Sequence, residues 1–248
     1  MAALLQVDNL HVRVGEKEVL KGLSLQVKPG EVCAIMGPNG SGKSSLSFTL
    51  MGHPRYEVTA GNILFSGEEI NELPPDKRAK LGLFLGMQHP YEIEGVPYKD
   101  FLRQAYNALY DGTPRQMRIR DFHKMLLGCL DLLHMDHSFI DRAVNVGFSG
   151  GEKKRAEMLQ VAVLQPKLVI LDEIDSGLDI DALRQVAEAL NQIRAQHPDM
   201  AVVLITHYQR ILQYVKLQTI HLLNNGLIVR SGGPELVEEL EQSGYANL

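Results

Sequence analysis

The feature that most constrains this chain is the segment Gly37–Ser44, which reads GPNGSGKS. It fits the pattern GxxxxGK[ST] at every fixed position. It lies between a short apolar run, Val32–Met36, and a predicted helix, Ser44–Met51. A buried strand, a glycine-rich turn and a helix N-terminus together direct backbone N–H groups and a positive dipole end toward a phosphate. We therefore predict a P-loop that binds a nucleoside triphosphate.

Each residue type in this loop has a predicted role. The glycines let backbone N–H groups turn inward around the phosphates, Lys43 reaches the β and γ phosphates, and the Ser44 hydroxyl is a predicted Mg²⁺ ligand. The predicted nucleotide-binding residues of the loop are Gly37, Pro38, Asn39, Gly40, Ser41, Gly42, Lys43, Ser44 and Ser45.

A second motif is the segment Leu168–Glu173, an apolar strand that ends in two acids. Apolar side chains along the whole strand indicate burial on both faces, and ligands of open α/β sheets bind at the carboxyl ends of such strands. We predict that Asp172 holds Mg²⁺ through its water shell. Glu173 is the predicted general base that polarises the attacking water.

A third motif is Phe148–Arg155, in which Ser149, Gly150 and Gly151 open a predicted helix. A hydroxyl and unpaired N–H groups at the positive end of a helix dipole can bind an anion. The same residues also suit a helix cap, and physical reasoning alone leaves both interpretations open. We count all three residues among the predicted nucleotide-binding residues.

The order of the predicted elements indicates an α/β fold. Strands at Leu4–Val7, His11–Val14 and about 23–27 predict an N-terminal antiparallel β region. Residues from about 98 to 137 carry apolar side chains at helical spacing, and strand–helix alternation then resumes, which predicts a mostly parallel core sheet. We predict a single domain, residues 1–248, with an α/β core at 1–90 and 150–248. A helical subdomain at about 91–149 is inserted into it and carries the third motif at its end.

Net charge, apolar runs and cysteine positions indicate which partners and which cellular location we expect. The formal net charge of -5 provides no basic excess for a nucleic-acid backbone, so we expect no nucleic acid as partner. No apolar run approaches the roughly 18 to 20 residues that cross a bilayer, and the first residues lack the basic region of a signal peptide. We expect a cytoplasmic protein without direct membrane insertion. Cys33 and Cys129 lie far apart in apolar stretches and are predicted to be buried rather than metal ligands.

The third motif resembles the signature of ATP-binding-cassette (ABC) ATPases. This resemblance implies that the signature of one protomer covers the γ-phosphate on the P-loop of a second copy, so that ATP drives a homodimer contact. Gln88 resembles the Q-loop glutamine, which implies contact with Mg²⁺ and the water, and His207 resembles the switch histidine at the γ-phosphate. The segment Ser176–Asp179 resembles the D-loop. Glu173, His207 and Gln88 are thus the predicted catalytic residues, and Ser44, Gln88 and Asp172 the predicted metal ligands.

Longer stretches resemble the SufC family, the ATPases of the Suf iron-sulfur cluster assembly system. They are Asn145–Arg155, Leu171–Leu183, Thr206–Leu212 and Glu92–Val96. The resemblance implies an enzyme that hydrolyses ATP to ADP and phosphate, and that drives conformational change in a SufB–SufD type scaffold. With two separated cysteines, the chain itself is not expected to hold a cluster. The region from Gln88 to about Phe101 is the predicted surface for SufB- and SufD-like proteins, although its apolar residues also suit internal packing.

Two other functions remain open. The chain could be the nucleotide-binding subunit of a membrane transporter, in which case the same surface would receive a helix of a permease. It could also be an interaction module that uses ATP only to dimerise, if Glu173 is not the base.

Overall fold

A computed structural model of the chain describes residues 2–206 and 210–244, apart from the side chains of residues 238 and 241–243. The contacts within the chain divide it into two compact units. The first contains residues 1–87, 167–174 and 199–248, and the second contains residues 88–166 and 175–198. The predicted fold class, α/β with a mostly parallel core sheet, an N-terminal antiparallel region and a helical subdomain, is confirmed.

The first unit begins with an antiparallel sheet in the order β2-β1-β4-β5. Its strands are β1 (Leu5–Val14), β2 (Lys17–Val27), β4 (Glu57–Phe65) and β5 (Glu68–Glu69). The sequence suggested two strands where β1 is continuous. The interruption in its pattern is an irregular register around Asn9, whose φ is 47°, and a bulge of this kind bends a strand without ending it.

The core sheet of the first unit has the order β12-β11-β3-β10-β9-β6. Its strands are β3 (Val32–Met36), β6 (Leu83–Gly86), β9 (Leu168–Asp172), β10 (Ala201–Ile205), β11 (Thr219–Asn224) and β12 (Leu227–Gly232). All pairs are parallel except β11 with β12, which form an antiparallel hairpin. Every residue of β3, β9 and β10 is buried, because apolar side chains occupy both faces. The carboxyl ends of these strands carry the P-loop and Asp172 to one edge of the sheet.

The helices of the first unit are α1 (Lys43–Leu50), α2 (Pro75–Leu81) and α7 (Glu235–Ser243). Helix α1 follows β3 directly and starts inside the P-loop. Its C-terminal end is held by Arg78 of α2, whose buried guanidinium donates to the carbonyl oxygens of Thr49 (2.8 Å) and Leu50 (2.9 Å). These are carbonyls that a helix end leaves without an intrahelical partner.

The second unit contains α3 (Tyr98–Tyr110), α4 (Ile119–Leu132), α5 (Gly150–Leu164) and α6 (Ile180–Gln196), with a short pair of strands, β7 (Ile93–Pro97) and β8 (Ala143–Val144). The contacts thus group α5 and α6 with the helical unit, whereas the sequence suggested a core that resumes at residue 150. We keep the single domain with an inserted helical subdomain as a proposal.

Candidate functional site

A pocket of about 350 Å³ opens at the P-loop in the first unit. Its lining residues come from four separate parts of the chain, three of which are β2, the P-loop with the start of α1, and the turn between β11 and β12. Glu173, directly after β9, completes the lining. Six of the nine predicted P-loop residues line the pocket, namely Asn39, Gly40, Gly42, Lys43, Ser44 and Ser45.

The P-loop is built by backbone conformations that favour glycine. Gly40 has a φ of 79° and Gly42 a φ of 111°, both in the left-handed region. Gly37 is required for a different reason, because a Cβ there would lie 2.1 Å from the carbonyl oxygen of Leu223. Ser41 of the same loop has a buried hydroxyl without a hydrogen-bond partner among the described residues.

Lys43 is the buried cation of the loop, with 5% of its surface exposed. Its ammonium donates to the carbonyl oxygens of Gly37 (2.8 Å) and Pro38 (3.1 Å), both within the loop. Burial lowers the pKa of Lys43, whereas the carboxylates of Glu173 and Asp172 oppose this shift. A desolvated ammonium among inward-turned amides attracts phosphate more strongly than a hydrated one.

Asp172 is buried at the end of β9, with 4% of its surface exposed. Its Oδ2 accepts a hydrogen bond of 2.9 Å from the hydroxyl of Ser47, and Oδ1 has no hydrogen-bond partner among the described residues. Burial raises the pKa of Asp172, while the hydroxyls of Ser47 and Ser44 and the ammonium of Lys43 act against this rise. A carboxylate oxygen left buried without a donor is a group that a cation or its water shell would satisfy.

The residues present fit a magnesium ion. Ser44 lines the pocket, and its hydroxyl lies close enough to the Asp172 carboxylate to act on the pKa of Asp172, which it lowers. Mg²⁺ prefers oxygen ligands, keeps several waters and is held in nucleotide sites by one or two protein oxygens with the phosphates. Ser44 and Asp172 therefore are the residues of the first unit that would hold the ion.

Glu173 follows Asp172 and lines the same pocket. It has a φ of 50°, and its backbone N–H donates to the carbonyl oxygen of Ile205 at the end of β10 (2.8 Å). A left-handed conformation is uncommon for a residue other than glycine, and it persists only where the surrounding structure fixes it. The backbone of Glu173 is thus fixed between the two strands beside the pocket, and its role as the general base stays a prediction.

The predicted second anion site lies at the start of α5 in the second unit. Ser149 is its N-cap: the hydroxyl accepts from the Glu152 N–H (3.2 Å), and the Ser149 N–H donates to the Glu152 carboxylate (2.8 Å). The helix-cap interpretation is therefore confirmed. Ser149 and Gly150 are exposed, at the end of the helix where the dipole is positive. A role of Ser149, Gly150 and Gly151 in nucleotide binding remains a prediction.

Gln88 and His207, both predicted catalytic residues, cannot be placed at the pocket. Gln88 belongs to the second unit, where its carbonyl oxygen accepts from the ammonium of Lys154 (3.3 Å). His207 lies outside the described residues. Their roles at the γ-phosphate stay predictions.

The sequence analysis missed several residues that the fold brings to these sites. On β2, the lining residues are Lys17, Glu18, Val19 and Lys21, and on the distant turn they are Asn225 and Gly226. Nothing in their local sequence distinguishes them from an ordinary strand and hairpin. Ser47 was detectable, because it lies one helical turn beyond Lys43 and Ser44 and so shares their face of α1.

The second unit also contains a buried ion pair that the sequence did not reveal. Lys154 and Glu157 of α5 each have 5% of the side chain exposed, and their charged groups lie 3.0 Å apart. The neighbouring Lys153 pairs instead with Glu92 at the surface, over 2.8 Å. Of the three basic residues after the signature, Lys154 is therefore buried, whereas Lys153 and Arg155 are partly exposed.

Comparison with known proteins identifies a family. A profile described as ABC transporter matches residues 20–176, which is more than half of the chain. A probable ATP-dependent transporter of Synechocystis sp. is 50% identical over 243 residues, which cover 98% of this chain and 94% of that protein. The probable ATP-dependent transporter ycf16 of Cyanophora paradoxa is 50% identical over 243 residues, covering 98% and 93%. Vegetative protein 296 of Bacillus subtilis is 47% identical over 244 residues, covering 98% and 92%.

Solved structures share the fold. A nucleotide-free ATP-binding cassette from an ABC transporter aligns with a TM-score of 0.80 at 22% identity, over 98% of this chain and 96% of that chain. A dimeric ATP-binding cassette with ADP and phosphate bound aligns with a TM-score of 0.77 at 21% identity, over 92% and 98%. Within the described part of this chain, no helix has the length and apolar character needed to cross a membrane.

Proposed function

Because this chain belongs to the ABC transporter family of ATPases, we propose that it hydrolyses ATP to drive conformational change in a SufB–SufD type scaffold during iron-sulfur cluster assembly. The observation that carries this proposal is the position of the Suf-like stretches. They include the start of α5, the end of β9 with Glu173, and the strand β7. Catalytic segments and a surface segment thus resemble the same system.

Family membership confirms the predicted enzyme, an ATPase with ATP and Mg²⁺ as its cofactors. When bound, Mg²⁺ neutralises phosphate charge and orients the γ-phosphate for attack. The residues of this chain bind the phosphates and accept the proton of the attacking water. Lys43 exchanges its bonds to loop carbonyls for phosphate oxygens, which supply a full negative charge as acceptor.

In the proposed mechanism, Glu173 accepts the proton of the attacking water. Its backbone is fixed between β9 and β10, so the carboxylate approaches the pocket in a defined direction. Asp172, one residue earlier, is buried and would hold the metal ion instead. Two adjacent acids at a strand end thereby take different roles, because one is desolvated and the other faces the pocket.

We also propose that ATP closes two copies of the chain on each other. Two features support this: the exposed Ser149–Gly150 step at the start of α5, and the position of Asp179. As the last residue of the D-loop-like segment, Asp179 caps α6 by accepting from the Ala182 N–H (2.7 Å). A dimeric cassette with a similar fold has been solved. The proposed location of this complex is the cytoplasm.

The proposed docking surface for the scaffold follows Gln88 in the second unit. Tyr91 is 78% exposed and Ile93 of β7 is 38% exposed. Exposed apolar side chains close together in the sequence are characteristic of an interaction surface rather than internal packing. This surface includes the segment Glu92–Val96, one of the Suf-like stretches.

A membrane transporter subunit is the second candidate. The names of two relatives, each a probable ATP-dependent transporter, favour it. The surface at Tyr91 and Ile93 would then bind a permease. The ATPase chemistry of the first unit is the same in both cases, so only the partner distinguishes them.

The experiment is a pull-down of the tagged chain from native cell extract, with mass spectrometry of the bound proteins and ATPase assays with and without them. We expect soluble SufB- and SufD-like proteins that raise turnover. Recovery of an integral membrane permease in their place would replace the scaffold role with transport.

A matched pair of variants tests the docking surface. Tyr91→Ala should reduce recovery of the partners, whereas Ile119→Ala, which alters a residue 69% exposed on α4 of the same unit, should not. Equal recovery with both variants would remove the surface after Gln88 from the proposal.

A further inference from the structure

The turn between β11 and β12, residues 224–226, reaches the nucleotide pocket from the far end of the chain. Asn225 and Gly226 line the pocket together with the P-loop and β2. In the sequence, the Asn-Gly step indicates only a tight hairpin, which is what the strands on either side form. The turn also contacts the P-loop and β2, which a turn that only connects two strands would not do.

The backbone of Gly226 joins the P-loop to β2. Its N–H donates to the carbonyl oxygen of Ser41 (2.8 Å), and its own carbonyl oxygen accepts from the N–H of Lys21 (3.0 Å). The Ser41 carbonyl belongs to the loop whose N–H groups would face the phosphates. A displacement of Gly226 would therefore move the P-loop and the β2 wall of the pocket together.

At position 226 the hairpin approaches β2 too closely for any residue other than glycine. A Cβ on Gly226 would lie 2.6 Å from the carbonyl oxygen of Val19, and the φ of Gly226 is 80°. At the other end of the loop, a Cβ on Gly37 would lie 2.1 Å from the Leu223 carbonyl oxygen. The P-loop at Gly37 thus packs against the backbone of β11, and the turn at Gly226 packs against the backbone of β2.

Asn225 contributes a side chain to the same pocket. It is exposed, and its φ of 48° is one that asparagine tolerates better than most residues. Its amide offers two N–H donors and a carbonyl acceptor, while the hairpin fixes its backbone. A polar and accessible side chain on a fixed backbone in a nucleotide pocket is suited to hydrogen-bond the ligand.

We propose that the turn at residues 224–226 is part of the nucleotide site, in which Gly226 positions the P-loop and Asn225 hydrogen-bonds the bound nucleotide. This inference rests on nucleotide binding by the chain and is independent of the scaffold role. Binding by the isolated protein therefore tests it, whatever partner the pull-down recovers.

The first test removes the Asn225 amide and keeps the backbone. Asn225→Gly retains a residue that adopts positive φ, and Ser66→Gly is its matched control, since Ser66 is exposed with a φ of 54° in the turn between β4 and β5 of the same unit. With the non-hydrolysable analogue AMP-PNP and Mg²⁺ in calorimetric titrations, the loss of one hydrogen bond should raise Kd about three- to tenfold. The control should bind as the wild type does.

The second test displaces the turn. Gly226→Ala adds the Cβ that meets Val19, whereas Gly67→Ala adds one at a similar φ of 82° with nothing within 4 Å. Both variants carry the same left-handed strain, so the difference between them measures the close contact of the turn with β2, a turn that Gly226 also joins to the P-loop through its hydrogen bond to Ser41. Kd for AMP-PNP should rise about tenfold or more for Gly226→Ala beyond any change in Gly67→Ala.

Kd values measured well below the melting temperature distinguish a role of Gly226 in positioning the P-loop from a loss of protein stability. A merely structural role would lower the melting temperature of Gly226→Ala without nucleotide and leave the Kd of the folded protein unchanged. Wild-type Kd values in Asn225→Gly and in folded Gly226→Ala would overturn the proposal. If Gly226→Ala does not fold, the Asn225→Gly result alone decides.

Discussion

The hydroxyl of Ser47 donates a hydrogen bond of 2.9 Å to the carboxylate of Asp172, which joins the middle of α1 to the end of β9. The bond connects the two segments that supply the predicted Mg²⁺ ligands, since Ser44 lies one turn earlier on the same helix. Asp172 is nevertheless buried, and burial raises its pKa. The ionised carboxylate that would bind Mg²⁺ is therefore the form that is less favourable for the stability of the nucleotide-free protein.

We expect Asp172→Asn to stabilise the nucleotide-free protein at neutral pH and to abolish Mg²⁺-dependent ATPase activity. The folded state binds the Asp172 proton more tightly than the unfolded state, so the wild type loses stability as the pH rises above the ordinary value of 3.8. The variant lacks this loss. Urea unfolding at several pH values measures the free energy of unfolding of both proteins. The excess of the variant over the wild type should shrink as the pH falls toward about 4. An excess that stays constant with pH would contradict this account.

Glu173→Gln should abolish turnover and retain ATP binding. The amide cannot accept the proton of the attacking water, yet it keeps the size and position of the side chain. Loss of a general base typically reduces rate by about 10² to 10⁴-fold. Steady-state ATPase assays and nucleotide titrations measure the two properties, with Glu68→Gln as control, since Glu68 is an exposed glutamate on β5 of the same unit and is not among the residues that line the pocket. Unchanged turnover in Glu173→Gln would favour the non-hydrolysing module instead.

Arg78→Met should destabilise the fold strongly. The Arg78 guanidinium is 2% exposed and donates to four backbone carbonyls, those of Leu73, Thr49, Leu50 and Asn71. Removing it leaves buried acceptors unsatisfied, which should lower the free energy of unfolding by about 2 to 4 kcal/mol. Chemical denaturation checks this. Lys80→Met on the exposed side of α2 is the control and should change stability by about 0.5 kcal/mol or less.

Both cysteines should react slowly with thiol reagents in the folded protein. Burial raises the pKa of Cys129 to about 11 and also raises the pKa of the fully buried Cys33. At pH 8, only about one Cys129 thiol in a thousand is then the reactive thiolate. Maleimide labelling followed by mass spectrometry should show rates that increase with pH between 7 and 9, and Cys33→Ser assigns the labelled site. Rapid labelling of Cys129 at pH 7 would contradict the raised pKa of this thiol. In urea, both thiols should become exposed and react.

Several elements were predictable because their pattern is local. The fully apolar runs at β3, β9 and β10 predict buried strands, and the strand–glycine–helix order around Gly37–Ser44 predicts the P-loop. Helix α2 was missed because its sequence, Pro75–Leu81, is mostly charged and buries only Arg78, so it lacks apolar periodicity. Its stability comes from contacts with α1 that no local pattern reveals.

The sequence by itself determined the chemistry at the strand ends: a phosphate loop with Lys43, an adjacent pair of acids, and a serine–glycine step that opens a helix. Those functions depend on residue types at fixed short spacings, which the local chain conformation places correctly. Only the tertiary structure decided which distant residues complete the pocket. Gly226 meets Ser41, and Ser47 meets Asp172, because parallel strands far apart in the chain end at the same edge of one sheet, and such pairings depend on packing of the whole core.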